Sequence, residues 1–171
     1  VSGESFDKMV EENDRLDQAF VASVLLQIAE ALQTADEVGL LHGDVKPENI
    51  LFDERLQAKL VDFGLATLVN QAAEEGIWGT PYYISPEKVR RKKTDARSDV
   101  YSLGATMYHA LAGQPPFEGE TPAEVVKARL EGPPPSLRSA RNDITDQIES
   151  IVTRMLEPDP AKRYPNYRSL I

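Results

Sequence analysis

Eight residues, His42-Gly43-Asp44-Val45-Lys46-Pro47-Glu48-Asn49, followed a little later by Asp62-Phe63-Gly64, constrain this chain more than any other stretch. Within one short segment lie a carboxylate, a lysine two places on and an asparagine five places on. A second aspartate then follows. The set supplies one carboxylate free to accept a proton, one cation suited to a phosphate, and two oxygen ligands for a hard metal ion. Phosphoryl transfer requires that inventory, because Mg²⁺ prefers oxygen ligands and the charge on the transferring group must be neutralised in place.

A lone Asp-Phe-Gly would carry little weight, since it reads equally well as a polar turn between strands. The order of the motifs carries more. Gly79-Thr80-Pro81-Tyr82-Tyr83-Ile84-Ser85-Pro86-Glu87 comes next, then Ser98-Asp99-Val100-Tyr101-Ser102-Leu103-Gly104, then Pro115-Pro116-Phe117, and finally Asp159-Pro160-Ala161-Lys162-Arg163. In this order the motifs resemble the eukaryotic-type Ser/Thr protein kinases, with Ser85 where the family usually has Ala. The resemblance implies a mainly α fold, the helical large lobe of the protein-kinase fold with a few short β-strands around the catalytic loop, spanning residues 1–171. It also implies an enzyme that moves the ATP γ-phosphoryl group to protein hydroxyls.

The chain has 171 residues, a net charge of −9 and no cysteine. That length suffices for one domain with a real core but falls short of a two-lobed kinase domain. The acidity argues against a nucleic-acid partner, which would select a basic face. Without cysteine there is no disulfide framework and no thiolate metal site, which suits an intracellular chain. No apolar run approaches the ~18 residues of a membrane span. Before Leu40 the only glycines are Gly3 and Gly39, and Lys8 lies in an amphipathic pattern, Phe6-Asp7-Lys8-Met9-Val10. Neither a Gly-rich phosphate loop nor a lysine-bearing strand is legible there. With Val1 as its first residue, the chain is expected to be a piece of a longer protein. The N-terminal ATP-clamping lobe would be its partner in cis, and the isolated piece is expected to be inactive. The expected location is cytoplasmic, with a parent that could be membrane-anchored.

Local patterns place the motifs. Phe20, Val21, Val24, Leu25, Ile28 and Leu32 recur at helical spacing, with Asp17 as a cap and Gly39 as a stop. Leu40-Leu41, Ile50-Leu51-Phe52 and Lys59-Leu60-Val61 read as short strands cradling the catalytic loop. Residues 67–76 read as a polar loop. The run from Val100 to Leu111 is apolar on almost every side, so that helix is expected at the centre of the core, stopped at Gly113. Residues 121–130 and 145–156 read as amphipathic helices, separated by the extended Pro133-Pro134-Pro135 connector, and the chain ends in an expected last helix.

The resemblance assigns roles by residue. Asp44 would be the catalytic base and orienter of the substrate hydroxyl, Lys46 would contact the transferred phosphate, and Thr80 would bond near Asp44. Asn49 and Asp62 would hold Mg²⁺. The ATP co-substrate would meet Lys46, Glu48, Asn49, Leu51 beneath the adenine, Asp62, and Glu4 at the ribose. A plain alternative for Glu4 is a solvated acid at a helix N-terminus. His42 and Phe63 would pack in a spine with Asp99 holding the His42 backbone, and Glu87 would pair with Arg163. Arg90-Arg91-Lys92-Lys93 reads as a solvated loop, with docking of an acidic substrate segment as its alternative. The Lys46-Pro47-Glu48-Asn49 spelling resembles the Ser/Thr-specific members. Two other readings, a pseudokinase or interaction module and a small-molecule kinase of related fold, are disfavoured. A scaffold needs none of Asp44, Lys46, Asn49 and Asp62, and a small-molecule kinase needs no peptide-docking segment such as 79–87.

The chief departure is Gly43, where most members carry an arginine that receives a phosphate from the activation loop. Residues 67–79 contain no serine and no threonine other than Thr67. Both absences point to a kinase that does not switch on by loop phosphorylation. Phosphatase treatment of the full-length protein should leave most of its activity, and Thr67→Ala should be nearly silent. A loss of about tenfold or more, traced to Thr67 by mass spectrometry, would contradict this.

Overall fold

The computed structural model describes residues 4–13, 15–63, 67 and 68, and 81–171. Its order is α1 (Phe6–Glu12), α2 (Gln18–Glu37), β1 (Leu40–Leu41), β2 (Ile50–Phe52), β3 (Ala58–Leu60), β4 (Thr67–Leu68), α3 (Pro86–Val89), α4 (Ala96–Ala112), α5 (Pro122–Glu131), α6 (Leu137–Ala140) and α7 (Asp146–Met155). The fold is mainly helical, with two antiparallel ribbons. β2 pairs with β3 (Ile50 opposite Leu60, Phe52 opposite Ala58), and β1 pairs with β4 (Leu40 opposite Leu68, Leu41 opposite Thr67). The second ribbon corrects the sequence reading, which left Thr67 and Leu68 in a loop; two-residue pairing has no periodicity to announce it. The remainder of that loop lies outside the described residues. Residues 167–169 form a 3₁₀ turn rather than the expected last helix.

α2 begins where Asp17 accepts hydrogen bonds from the Ala19 and Phe20 amides at 2.9 and 3.0 Å, an N-cap that satisfies two of the helix's orphan donors. It buries Val21, Val24, Leu25, Ile28 and Leu32, as their spacing requires. α4 is the centre. It packs against α2 on one side and α7 on the other, and Asp99, Leu103, Met107 and Leu111 are all essentially sealed from solvent. Gly104 permits the α7 contact: a Cβ there would stand 2.7 Å from Cβ of Met155. Gly113 ends α4 at φ 79°, a left-handed turn that glycine adopts without strain. Thr121 caps α5 and Thr145 caps α7. Among the described residues no helix is long and apolar enough to cross a membrane.

Two buried arginines flank one tyrosine and differ in what they meet. Arg163 binds Glu87 through two parallel bonds of 2.7 and 2.9 Å, and gives its remaining donors to the carbonyls of Glu157, Arg97 and Pro158. Ser98 adds a third bond to the same carboxylate at 2.6 Å. Burial by itself would raise the Glu87 carboxyl, but the Arg163 guanidinium overrides it and holds the group below its ordinary value. Arg129 lies over the rings of Phe117 and Tyr101 at 5.5 and 5.9 Å, 1% exposed, and among the described residues its three guanidinium nitrogens meet no carboxylate or carbonyl acceptor, Tyr101 being the polar group nearest to it. Burial pushes it down from its ordinary value.

The two should answer oppositely to truncation. Arg163→Met strands a buried carboxylate and should cost about 3–5 kcal/mol, whereas Arg129→Met removes an unpaired cation and should leave stability unchanged or raise it. Denaturant titration of the two variants checks this. Because the folded Glu87 carboxyl is depressed, its contribution is complete above the ordinary carboxylate range and is lost as pH falls through and below that range.

Candidate active site

The chain between β1 and β2 carries the site. Its anchor is Asp99 in the first turn of α4, whose two oxygens accept the backbone amides of His42 and Gly43, each at 2.9 Å. The Tyr167 hydroxyl donates to the same carboxylate at 3.3 Å. Burial pushes the Asp99 carboxyl up from its ordinary value, while His42, the two amides and Lys88 pull the other way. The His42 ring is fully buried. Asp44 donates its amide to Nδ1 at 3.3 Å, and Nε2 lies 3.0 Å from the Val61 carbonyl. A carbonyl can only accept, so the ring hydrogen belongs on Nε2. Phe63 meets the His42 ring edge-on at 4.6 Å, so the two residues expected to pack together do touch.

Asp44, Lys46 and Asn49 come together. The Lys46 ammonium lies 2.9 Å from Oδ2 of Asp44. The Asn49 amide donates to the Asp44 carbonyl at 2.7 Å and to the same Oδ2 at 3.2 Å. Among the described residues Oδ1 of Asp44 accepts no hydrogen bond, and the side chain keeps 20% of its exposure. Among the described residues, one oxygen is therefore held and the other meets no donor.

Asp62 is carried to the same place by its neighbour. The Val61 amide donates to the Asn49 carbonyl at 2.9 Å, and the Val61 carbonyl meets His42. Both backbone groups of Val61 are thereby tied to the catalytic loop. Asp62 itself sits at φ 61°, a left-handed conformation that aspartate tolerates better than most residues. An amide oxygen at Asn49 and a carboxylate at Asp62 are hard donors that fit Mg²⁺. Among the described residues no cluster of three or more His, Cys, Asp and Glu could hold an ion alone. Mg²⁺ binding by one or two protein oxygens with phosphate and water completing the shell is the usual pattern.

The other expected residues divide. Leu51 is half-buried on β2, on the face opposite buried Ile50 and Phe52. Glu4 is adjacent to it, its carbonyl accepting the Phe52 amide at 3.0 Å while its exposed carboxylate lies 3.5 Å from Lys8. Glu48 is exposed on the 3₁₀ turn Pro47–Asn49, which packs against α1. Thr80, along with Gly64 and Gly79, lies outside the described residues. The Arg90–Lys93 cluster is exposed. Sequence reasoning missed three features: the left-handed Gly43 at φ 77°, the Tyr167 bond to Asp99, and a bond of 2.6 Å from the Lys88 ammonium to the Gly43 carbonyl. The glycine was noticed only as a missing arginine. No local pattern signals the other two.

The protein kinase domain family matches residues 1–169, and the chain belongs to it. Among named relatives it is 34% identical over 173 residues to the probable serine/threonine-protein kinase PknB of Corynebacterium glutamicum, an alignment covering 96% of this chain and 27% of that protein. It is 36% identical over 148 residues to the serine/threonine-protein kinase PknB of Mycolicibacterium smegmatis, covering 82% and 23%. It is 35% identical over 167 residues to the serine/threonine-protein kinase PknL of Mycobacterium tuberculosis, covering 96% and 42%. The chain thus spans about a quarter of the length of the first of these relatives.

Asp99 is the residue on which the loop rests. Asp99→Asn keeps one acceptor oxygen but turns an NH₂ group against one of the two backbone donors, and should lower unfolding free energy by about 1–3 kcal/mol, with faster amide exchange in the His42–Gly43 turn. A loss under about 0.5 kcal/mol in denaturant titration would mean that these bonds are not what secures the loop.

Proposed function

We propose that this chain is the catalytic and substrate-binding lobe of a Ser/Thr protein kinase that transfers the ATP γ-phosphoryl group to protein hydroxyls. The observation that carries the reading is the Asp44 carboxylate, restrained on Oδ2 by Lys46 and Asn49 and, among the described residues, without a hydrogen bond on Oδ1. Asp44 accepts a hydrogen bond from the substrate hydroxyl through Oδ1 and orients its oxygen toward the γ-phosphorus. As that oxygen bonds to phosphorus, the bond to the β–γ bridging oxygen breaks, ADP departs, and the hydroxyl proton passes to Asp44 and then to water. A carboxylate is a weak base, but a loose transition state asks chiefly for alignment. Lys46 supplies positive charge beside the group in flight. Asn49 and Asp62 would hold Mg²⁺, which neutralises phosphate charge when bound. Leu51 and Glu4 lie on the nucleotide side, under the adenine and near the ribose, with the ATP-clamping lobe supplied from outside these residues. Thr80 is assigned a place beside Asp44 on motif position alone. Gly43 makes this a member without the loop arginine.

The experiment is steady-state kinetics on the full-length protein with a Ser/Thr peptide. Asp44→Asn should lower kcat by about 10²–10⁴-fold with KM for ATP changed by less than about threefold. Asp62→Asn should abolish turnover at any Mg²⁺ concentration tested. Retention of more than about a tenth of wild-type kcat in Asp44→Asn would remove that residue from its assigned role.

A further inference from the structure

The peptide unit joining Gly43 to Asp44 determines where the Asp44 side chain emerges. Gly43 stands at φ 77° and lacks a Cβ, so its own conformational preferences restrain that unit less than any other residue's would. The unit is nevertheless bonded on both sides. Its N–H, that of Asp44, donates to Nδ1 of His42 at 3.3 Å. Its C=O, that of Gly43, accepts from the ammonium of Lys88 at 2.6 Å. The second is the shorter bond and is charge-assisted, which makes it the stronger restraint.

Lys88 belongs to α3, one residue after Glu87. Glu87 is locked to Arg163 at 2.7 Å and to Ser98 at 2.6 Å. The lysine is therefore presented by a helix whose position is already set, and it is half-buried where it crosses to the loop. The space beside it, lined by Asp44, Tyr83, Ile84 and Ser102, amounts to about 10 Å³, roughly the room of one water. A phosphate or carboxylate does not fit there. Lys88 is accordingly not a vacant anion receptor: its ammonium is committed to the backbone.

We propose that Lys88 is a positioning residue for Asp44, gripping the Gly43 carbonyl so that the catalytic carboxylate is aligned by the docking of α3. The loop arginine of related kinases is missing here, and a cation from a different element reaches the same turn. Alignment of Asp44 then depends on the segment that carries Glu87 rather than on a phosphate. The inference rests on the assignment of Asp44 as catalytic residue, and its test separates the two.

The full-length protein is compared with Lys88→Met, Lys88→Arg and Asp44→Asn. Four readouts are used: kcat and KM for peptide and ATP, melting temperature, and amide hydrogen exchange at Gly43, Asp44 and Val45. Lys88→Met should lower kcat about tenfold or more and speed exchange at Asp44 by a similar factor. KM for ATP should stay within about twofold and the melting temperature within about 3 °C. Lys88→Arg, which keeps a donor cation, should recover at least about a third of wild-type kcat and restore the protection. Unchanged exchange in Lys88→Met overturns the grip, whatever the kinetics. So does a kcat loss accompanied by a melting drop beyond about 5 °C that arginine does not rescue, since that marks a role in stability alone. If the wild type transfers no phosphoryl group, the catalytic assignment fails, and the exchange comparison still decides whether Lys88 holds the loop.

Discussion

The carboxylate of Asp99 joins the buried centre of the fold to the loop that carries Asp44, Lys46 and Asn49. It sits in the first turn of α4, where the helix field favours a negative charge, and takes up two successive amides of the loop, His42 and Gly43, together with the Tyr167 hydroxyl. α4 is held by α2 and α7 around a core that includes Leu103, Met107 and Leu111, so the loop inherits the rigidity of the most buried helix. The rest follows along the backbone. His42 reaches Val61, Val61 reaches Asn49, and Asn49 returns to Asp44. The cost of leaving any of these polar groups unpaired indoors makes the ring hard to open piecemeal.

A second tie, Glu87 with Arg163, does for the segment after residue 81 what Asp99 does for the loop. Its carboxylate and guanidinium are almost completely satisfied, by each other, by Ser98 and by three carbonyls. Such a buried pair is better evidence of a specified arrangement than of net stability. Arg129, also near the Tyr101 ring, illustrates the contrast: an equally buried guanidinium with aromatic rings beside it and no carboxylate or carbonyl acceptor among the described residues. Between the two ties stands Lys88, one residue from Glu87 and bonded to Gly43. Both the 81–89 segment and the loop that carries Asp44 are thus fastened to α4, and the Lys88 bond joins one to the other.

Much of this was legible in order of residues. The helical spacing of Val21, Val24, Leu25 and Ile28, the cap at Asp17, and the stops at Gly39 and Gly113 all rest on interactions within a few residues, which is why local pattern finds them. Asp44, Lys46 and Asn49 are close in space because they are close in sequence, on one short loop. β4 escaped because two residues cannot display a period, and the 3₁₀ turn at 167–169 escaped because a short amphipathic run does not distinguish it from the start of a helix.

By itself the sequence determined several amphipathic helices, a central apolar helix, and the inventory of groups suited to phosphoryl transfer, since each of these follows from residue type and spacing, while the mainly helical fold class came from the order of the motifs and the family they resemble. Tertiary structure alone decided what holds those groups still. Lys88 and Gly43 are 45 residues apart, Asp99 and His42 are 57 apart, and Glu87 and Arg163 are 76 apart. Distances of that kind depend on how α3 and α4 are seated in the packed core, and seating is set by the mutual fit of side chains from many elements, which no local stretch of residues encodes.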